Sequence, residues 1–168
     1  MKNKLVIIGM PGSGKTTVGK LVAEKTGKSF IDLDEFIVEQ TEKTILQLFE
    51  KGEDHFREIE TRACMEIAKR TGLIVSTGGG VIKKPINIKL LGDHGIIVFL
   101  DRPVDLIMKD IIVQSRPLLK EGKEKLLTLY EERYELYKKY ADEIIINDRT
   151  IEEVCTEFIT IMNKYEMF

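Results

Sequence analysis

Residues 9 to 16 read Gly9-Met10-Pro11-Gly12-Ser13-Gly14-Lys15-Thr16, and their types and spacing suit one kind of chemistry. They fit the pattern G-x-x-x-x-G-K-[ST], a loop that binds the phosphates of a nucleoside triphosphate. Glycines let the backbone curl until successive N–H groups converge on phosphate oxygens. Lys15 sets a point charge against the terminal phosphates, and the Thr16 hydroxyl is a Mg²⁺ ligand. The flanks agree. Leu5 to Ile8 is a short apolar run, as in a buried parallel strand. Val18, Leu21 and Val22 then repeat at helical spacing, so a helix N-terminus adds its dipole to the anion site.

Four further stretches carry candidate chemistry. Ser29 to Asp34 reads as a short strand with Asp32 and Asp34 on one face at its C-terminal end, where open α/β sheets bind ligands. In a phosphate-binding chain such a pair suits Mg²⁺ and general-base roles; the alternative is that one of them caps a helix beginning near Glu35. Glu60 lies on a helical stripe of Phe56, Ile59, Ala63, Ile67 and Ala68, with Arg57 three residues back and within its reach. The carboxylate needs a partner there, so Glu60 is expected to hold Arg57 in place; an exposed surface pair is the alternative. Thr77-Gly78-Gly79-Gly80 follows the apolar run Leu73 to Ser76 and offers backbone with no side chains over it, open to a ligand or to a flexible turn. Gln114 to Leu119 carries Arg116-Pro117 between two helical patterns and reads as a mobile lid. Arg133 falls on the inner face of a later helix with Leu126, Leu129, Tyr130, Tyr134 and Tyr137. It either reaches an anion in a polar cavity or extends to solvent along the tyrosines.

The elements that position these residues alternate. Strands are expected at 5–8, 29–34, 73–76, 96–100 and 143–146. Helices are expected after the phosphate loop, in one or two pieces over 36–51, at 53–70, after Pro85, after Pro103, at 122–141 and from Ile151 to Tyr165. This order predicts an α/β fold with a five-stranded parallel sheet between helical layers. The 168 residues suit one domain with a real core. A net charge of −2 gives no bulk pull toward nucleic acid or a membrane surface. No apolar run reaches membrane-span length, and no signal peptide is expected ahead of the first strand. Cys64 and Cys155, far apart in helical patterns, read as free buried thiols of a reducing cytoplasm.

Together these motifs identify the chain as similar to the shikimate kinase family of P-loop kinases, over nearly its whole length. The resemblance rests on Gly9 to Thr16, Asp32-Leu33-Asp34, Gly52-Glu53-Asp54-His55-Phe56-Arg57, Ser76 to Val81, Arg116-Pro117-Leu118-Leu119 and Glu132-Arg133-Tyr134. It implies a three-layer α/β/α fold over 1–168, sheet order 2-3-1-4-5, with substrate-binding helices at about 33–60 and a lid at about 110–122. It implies transfer of the ATP γ-phosphoryl group to the 3-hydroxyl of shikimate by a cytoplasmic monomer that binds neither nucleic acid nor membrane. Gly12, Ser13, Gly14, Lys15, Thr16, Thr17 and Arg116 would bind ATP. Thr16 and Asp32 would hold Mg²⁺. Asp34, Arg57, Gly78, Gly79, Gly80 and Arg133 would bind the acceptor, and Lys15, Asp34 and Arg116 would be catalytic.

The sequence departs from the family at two places near the nucleobase. Lys109 stands where an arginine usually stacks on adenine, and the loop Asn147 to Thr150 is short and lacks a covering proline. A gluconate-type kinase would share the loop and lid but lack the triple glycine and Arg57. A catalytically silent nucleotide-binding module would have lost Asp34 or Arg116, and a regulatory GTPase would carry N-K-x-D, which is not found.

Overall fold

The computed structural model describes the backbone of residues 1–114 and 119–168, and side chains outside 111–121. Arg116 and the centre of the expected lid lie outside the described residues. The chain runs β1 (Lys4–Ile8), α1 (Lys15–Thr26), β2 (Ser29–Asp32), α2 (Leu33–Thr41), α3 (Ile45–Glu50), α4 (Glu53–Ala68), β3 (Leu73–Ser76), a 3₁₀ turn (Val81–Lys83), α5 (Pro85–Gly92), β4 (Gly95–Asp101), α6 (Val104–Gln114), α7 (Leu119–Tyr140), β5 (Glu143–Ile146) and α8 (Ile151–Lys164).

Five parallel strands form one sheet in the order β2-β3-β1-β4-β5. The central strand explains why the sequence shows a continuous apolar run there and no alternation. Both of its faces are buried, which is the rule for parallel sheets covered by helices on each side. Val6 and Ile8 pack with Phe36, Phe56, Ile67, Phe99 and Tyr137, under α2, α4 and α7. Leu5 and Ile7 pack on the other face with Val22, Phe158 and Met162, under α1 and α8. Each such side chain, fully buried, stabilises the fold by about 1.5–3 kcal/mol.

Local signals set the ends of the helices. α1 closes on Gly27, whose left-handed φ of 67° lets its N–H reach Ala23 O. Capping boxes start α3 at Thr44, with Gln47, and α8 at Thr150, with Glu153. α1 crosses β2 closely at Gly19, where a Cβ would lie 2.7 Å from the Phe30 ring. α7 is fastened to β4 by Phe99, which stacks on Tyr137 at 5.1 Å and meets Tyr134 edge-on at 5.9 Å.

α6 runs to Gln114 and α7 begins at Leu119, ahead of the expected start at 122, so the expected lid at about 110–122 is helical at both ends. The end of β2 differs as well. β2 stops at Asp32, and Asp34 lies in the first turn of α2, so the two acids do not share a strand face. The reason is a cap: Asp32 Oδ1 accepts the Glu35 N–H at 3.0 Å, which turns the chain two residues early.

Candidate active site

The C-terminal ends of all five strands meet along one edge of the sheet, and the described candidate residues are gathered there. The loop after β1 takes left-handed φ at Gly12 (78°) and Gly14 (94°), which lets it wrap into the N-terminus of α1. Lys15 is only 7% exposed. Its ammonium donates to the carbonyls of Gly9 and Met10, each at 2.8 Å. Burial lowers its pKa to about 8, against the raising influence of Asp34 and Asp32; Arg133 lowers it further.

Thr16 Oγ1 donates to Asp32 Oδ2 at 2.6 Å and lies 3.2 Å from Ser76 Oγ. These are hard oxygen ligands. Mg²⁺ takes one or two such protein oxygens alongside substrate phosphates and several waters. Thr16 and Asp32 therefore fit the ion.

Asp34 faces the glycine turn: a Cβ on Gly78 would lie 3.0 Å from Asp34 Oδ1. Burial raises its pKa, and the nearby Asp32 charge raises it further; Lys15 and Arg57 oppose the shift. The two acids thus have different surroundings. Asp32 caps α2 and bonds Thr16, while Asp34 turns toward Gly78.

Among the described residues, Arg57 and Arg133 are buried arginines of the site, 7% and 8% exposed. Arg57 Nη1 donates to Glu60 Oε1 at 2.9 Å, and its Nε is 3.4 Å from Glu53 Oε1. Glu60 is fully buried, so this is not a surface pair. Burial raises the Glu60 pKa and Arg57 opposes the rise. A buried carboxylate whose Oε2 finds no partner among the described residues is costly unless its arginine stays. The pair therefore fixes the Arg57 guanidinium firmly. Arg133 Nε likewise has no partner among the described residues.

The three glycines bring these groups together because they lack side chains. A Cβ on Gly80 would stand 2.2 Å from Arg57 Nη2. One on Gly79 would stand 2.7 Å from Pro11 Cδ and 3.3 Å from Arg133 Nη1. Gly80 has φ −96°, so the missing Cβ matters there and backbone freedom does not. Arg57 from α4, Arg133 from α7 and the tip of the phosphate loop thus converge on one short turn.

Three participants were not read from the sequence. Ser76 touches Thr16. Asn147 Nδ2 donates to Ser13 O at 2.8 Å and braces the phosphate loop from the end of β5. Tyr137 donates to Gly79 O at 2.5 Å. Asn147 stood in a polar loop and Tyr137 on an inward helical face, but neither position named a partner. Thr17 is exposed and lines a cleft of about 230 Å³ beside the loop, with Gly12, Gly14, Arg102, Asn147 and Arg149.

A phosphate-binding loop after the central strand of a 2-3-1-4-5 parallel sheet, with Asp32 ending β2 and Asp34 in the first turn of α2, defines a P-loop kinase. The family model for shikimate kinase matches residues 11–163. The shikimate kinase of Clostridium botulinum (strain Alaska E43 / Type E3) is 51% identical over 162 residues, 96% of this chain and 98% of its own. That of Clostridium beijerinckii is 51% identical over 168 residues, covering 99% of each. Among solved structures, the shikimate kinase from Acinetobacter baumannii in complex with shikimate superposes with a TM-score of 0.88. Its identity is 32%, over 99% of this chain and 96% of that one. The chain belongs to the shikimate kinase family.

Proposed function

We propose that the protein transfers the γ-phosphoryl group of ATP to the 3-hydroxyl of shikimate, giving shikimate 3-phosphate and ADP. One observation carries the choice of acceptor: two buried arginines from different helices converge on Gly79 and Gly80 beside Asp34 and the phosphate loop. A small acceptor with one carboxylate and several hydroxyls matches that set, since guanidinium groups pair with carboxylates bidentately. The relative from Acinetobacter baumannii is described in complex with shikimate. The protein is proposed to act as one cytoplasmic domain over 1–168 and as a monomer, with no nucleic-acid or membrane partner.

The roles follow from position. Gly12, Ser13, Gly14 and Thr17, with Lys15 and Thr16, hold the triphosphate. Asn147 keeps the Ser13 peptide in place. Thr16 and Asp32 would hold Mg²⁺, which when bound supplies charge against the β- and γ-phosphates. Arg57 and Arg133 orient the acceptor through its carboxylate, and the Gly78–Gly80 backbone lets it approach. Asp34 takes the proton of the attacking hydroxyl as its oxygen bonds to the γ-phosphorus. The bond to the β–γ bridging oxygen breaks and ADP leaves. A carboxylate held above its ordinary pKa is a better proton acceptor, so the environment of Asp34 suits the task. Arg116, outside the described residues, is assigned to the transferring phosphoryl group as the lid closes.

Phosphorus and proton NMR of the product tests this reading. Coupling of the phosphate to the proton on carbon 3 of shikimate is expected. Phosphate on another hydroxyl would overturn the assigned geometry of Asp34.

A further inference from the structure

Tyr137 has no part in the roles given above, yet its contacts are those of a residue that sets the acceptor site. It is fully buried, and its ring stacks on Phe99 at 5.1 Å. Its hydroxyl donates to the Gly79 carbonyl at 2.5 Å, across a sequence distance of 58 residues. Burial pushes the phenol pKa up to about 12, with the Arg133 guanidinium opposing, so the hydroxyl remains a donor throughout the working range.

The peptide it holds is the central one of a turn that the Val81 N–H closes on Gly78 O at 3.2 Å, and its own carbonyl and N–H take no part in that closure. Glycine backbone has the widest conformational range, and Gly79 and Gly80 are consecutive. Among the described residues, Tyr137 is the donor to Gly79 O, and the Gly80 N–H has no acceptor. In a planar trans peptide the carbonyl and the following N–H point in opposite directions. Fixing Gly79 O toward α7 therefore fixes the Gly80 N–H away from it. The same peptide lies between the Arg57 guanidinium, on the Cβ side of Gly80, and Pro11 of the phosphate loop, on that of Gly79.

We infer that Tyr137 is a positioning residue for the acceptor: its hydroxyl orients the Gly79–Gly80 peptide so that the Gly80 N–H is presented as a donor to an acceptor oxygen. Arg133, one helical turn earlier on α7, is set by the same docking of the helix on β4. This rests on the reading of Gly78 to Gly80 as acceptor-binding.

The test is steady-state kinetics of parent and Tyr137→Phe with shikimate and ATP varied in turn, with shikimate titration in the absence of nucleotide and a thermal melt of each. Phenylalanine keeps the ring on Phe99 and removes the hydroxyl alone. The Michaelis constant for shikimate should rise about 3- to 15-fold, the range of one well-placed hydrogen bond. The dissociation constant from the titration should rise with it, with kcat changed less than about threefold and the ATP constant within about twofold, as when ground-state and transition-state binding are lost equally. A role in packing alone would lower the melting temperature without this split. Shikimate constants within about twofold of the parent, or an equal rise in the ATP constant, would overturn the inference. A parent that releases no ADP with shikimate would overturn the acceptor reading, and this inference with it. An active parent with an unchanged Tyr137→Phe variant would overturn the inference alone.

Discussion

Replacing Lys15 with methionine should change how stability depends on pH, and the size follows from the burial of the loop. Lys15 has a pKa of about 8 in the folded chain and 10.5 as its reference value. The folded-state value is depressed, so between the two the unfolded chain binds more protons at this position. Unfolding free energy therefore rises with pH through that window, and the penalty for the buried ammonium is fully present below pH 8. Each pKa unit is worth about 1.4 kcal/mol, so roughly 3 kcal/mol is recovered as Lys15 loses its proton. Its bonds to the carbonyls of Gly9 and Met10 do not cancel this, because a neutral amine still donates. The Lys15→Met chain has no proton to lose, and its unbranched side chain fills the space of the lysine stem up to the ammonium. Urea melts of both proteins at half-unit steps from pH 7 to 10 isolate the effect by subtraction, since other titrating groups are common to both. The parent should gain on the variant by about 2–4 kcal/mol across that range. A difference that stays flat with pH would refute the burial of the charge. The same shift governs ATP: anionic phosphates favour the ammonium, so nucleotide affinity should weaken as pH rises above about 8, with proton uptake on binding seen by calorimetry in two buffers of different ionisation enthalpy.

Asp34→Asn should lower turnover by about 10²-fold or more while nucleotide binding, followed by equilibrium titration, stays near that of the parent. Gly80→Ala should push the Arg57 guanidinium from its seat on Glu60, because the added carbon stands 2.2 Å from Nη2; the shikimate constant should rise about tenfold or more in kinetic assays. Arg133→Leu should melt at or slightly above the parent temperature, since it removes a buried guanidinium whose Nε has no partner among the described residues. It should bind shikimate at least about 30-fold more weakly by titration, with Arg133→Lys restoring only part of the loss.

What the sequence conveyed depended on how local each signal was. The phosphate loop is contiguous, so its glycines, Lys15 and Thr16 were legible together with the strand and helix around them. The buried Arg57–Glu60 pair was legible because Glu60 falls on the apolar stripe of a helix and Arg57 is three residues back on it. Asp32 and Asp34 were visible as acids but misplaced in backbone geometry. A cap and a strand end use the same residue type, and alternation over six residues cannot separate them. Contacts made over long sequence distance left no trace. Asn147 to Ser13 spans 134 residues and Thr16 to Ser76 spans 60. Inward spacing on α7 gave Tyr137 a face, but the backbone carbonyl it meets belongs to another layer. The strand order came from the family resemblance, because parallel strands joined by helices allow several orders with the same element sequence.

The central claim is the identity of the acceptor, and ADP release tests it most directly. The protein is assayed in a coupled system with ATP and Mg²⁺, with shikimate and gluconate offered separately at equal concentration. The arrangement of Arg57, Arg133 and Asp34 predicts ADP release that saturates with shikimate and stays at the acceptor-free rate with gluconate. Saturable release with gluconate and none with shikimate would contradict it.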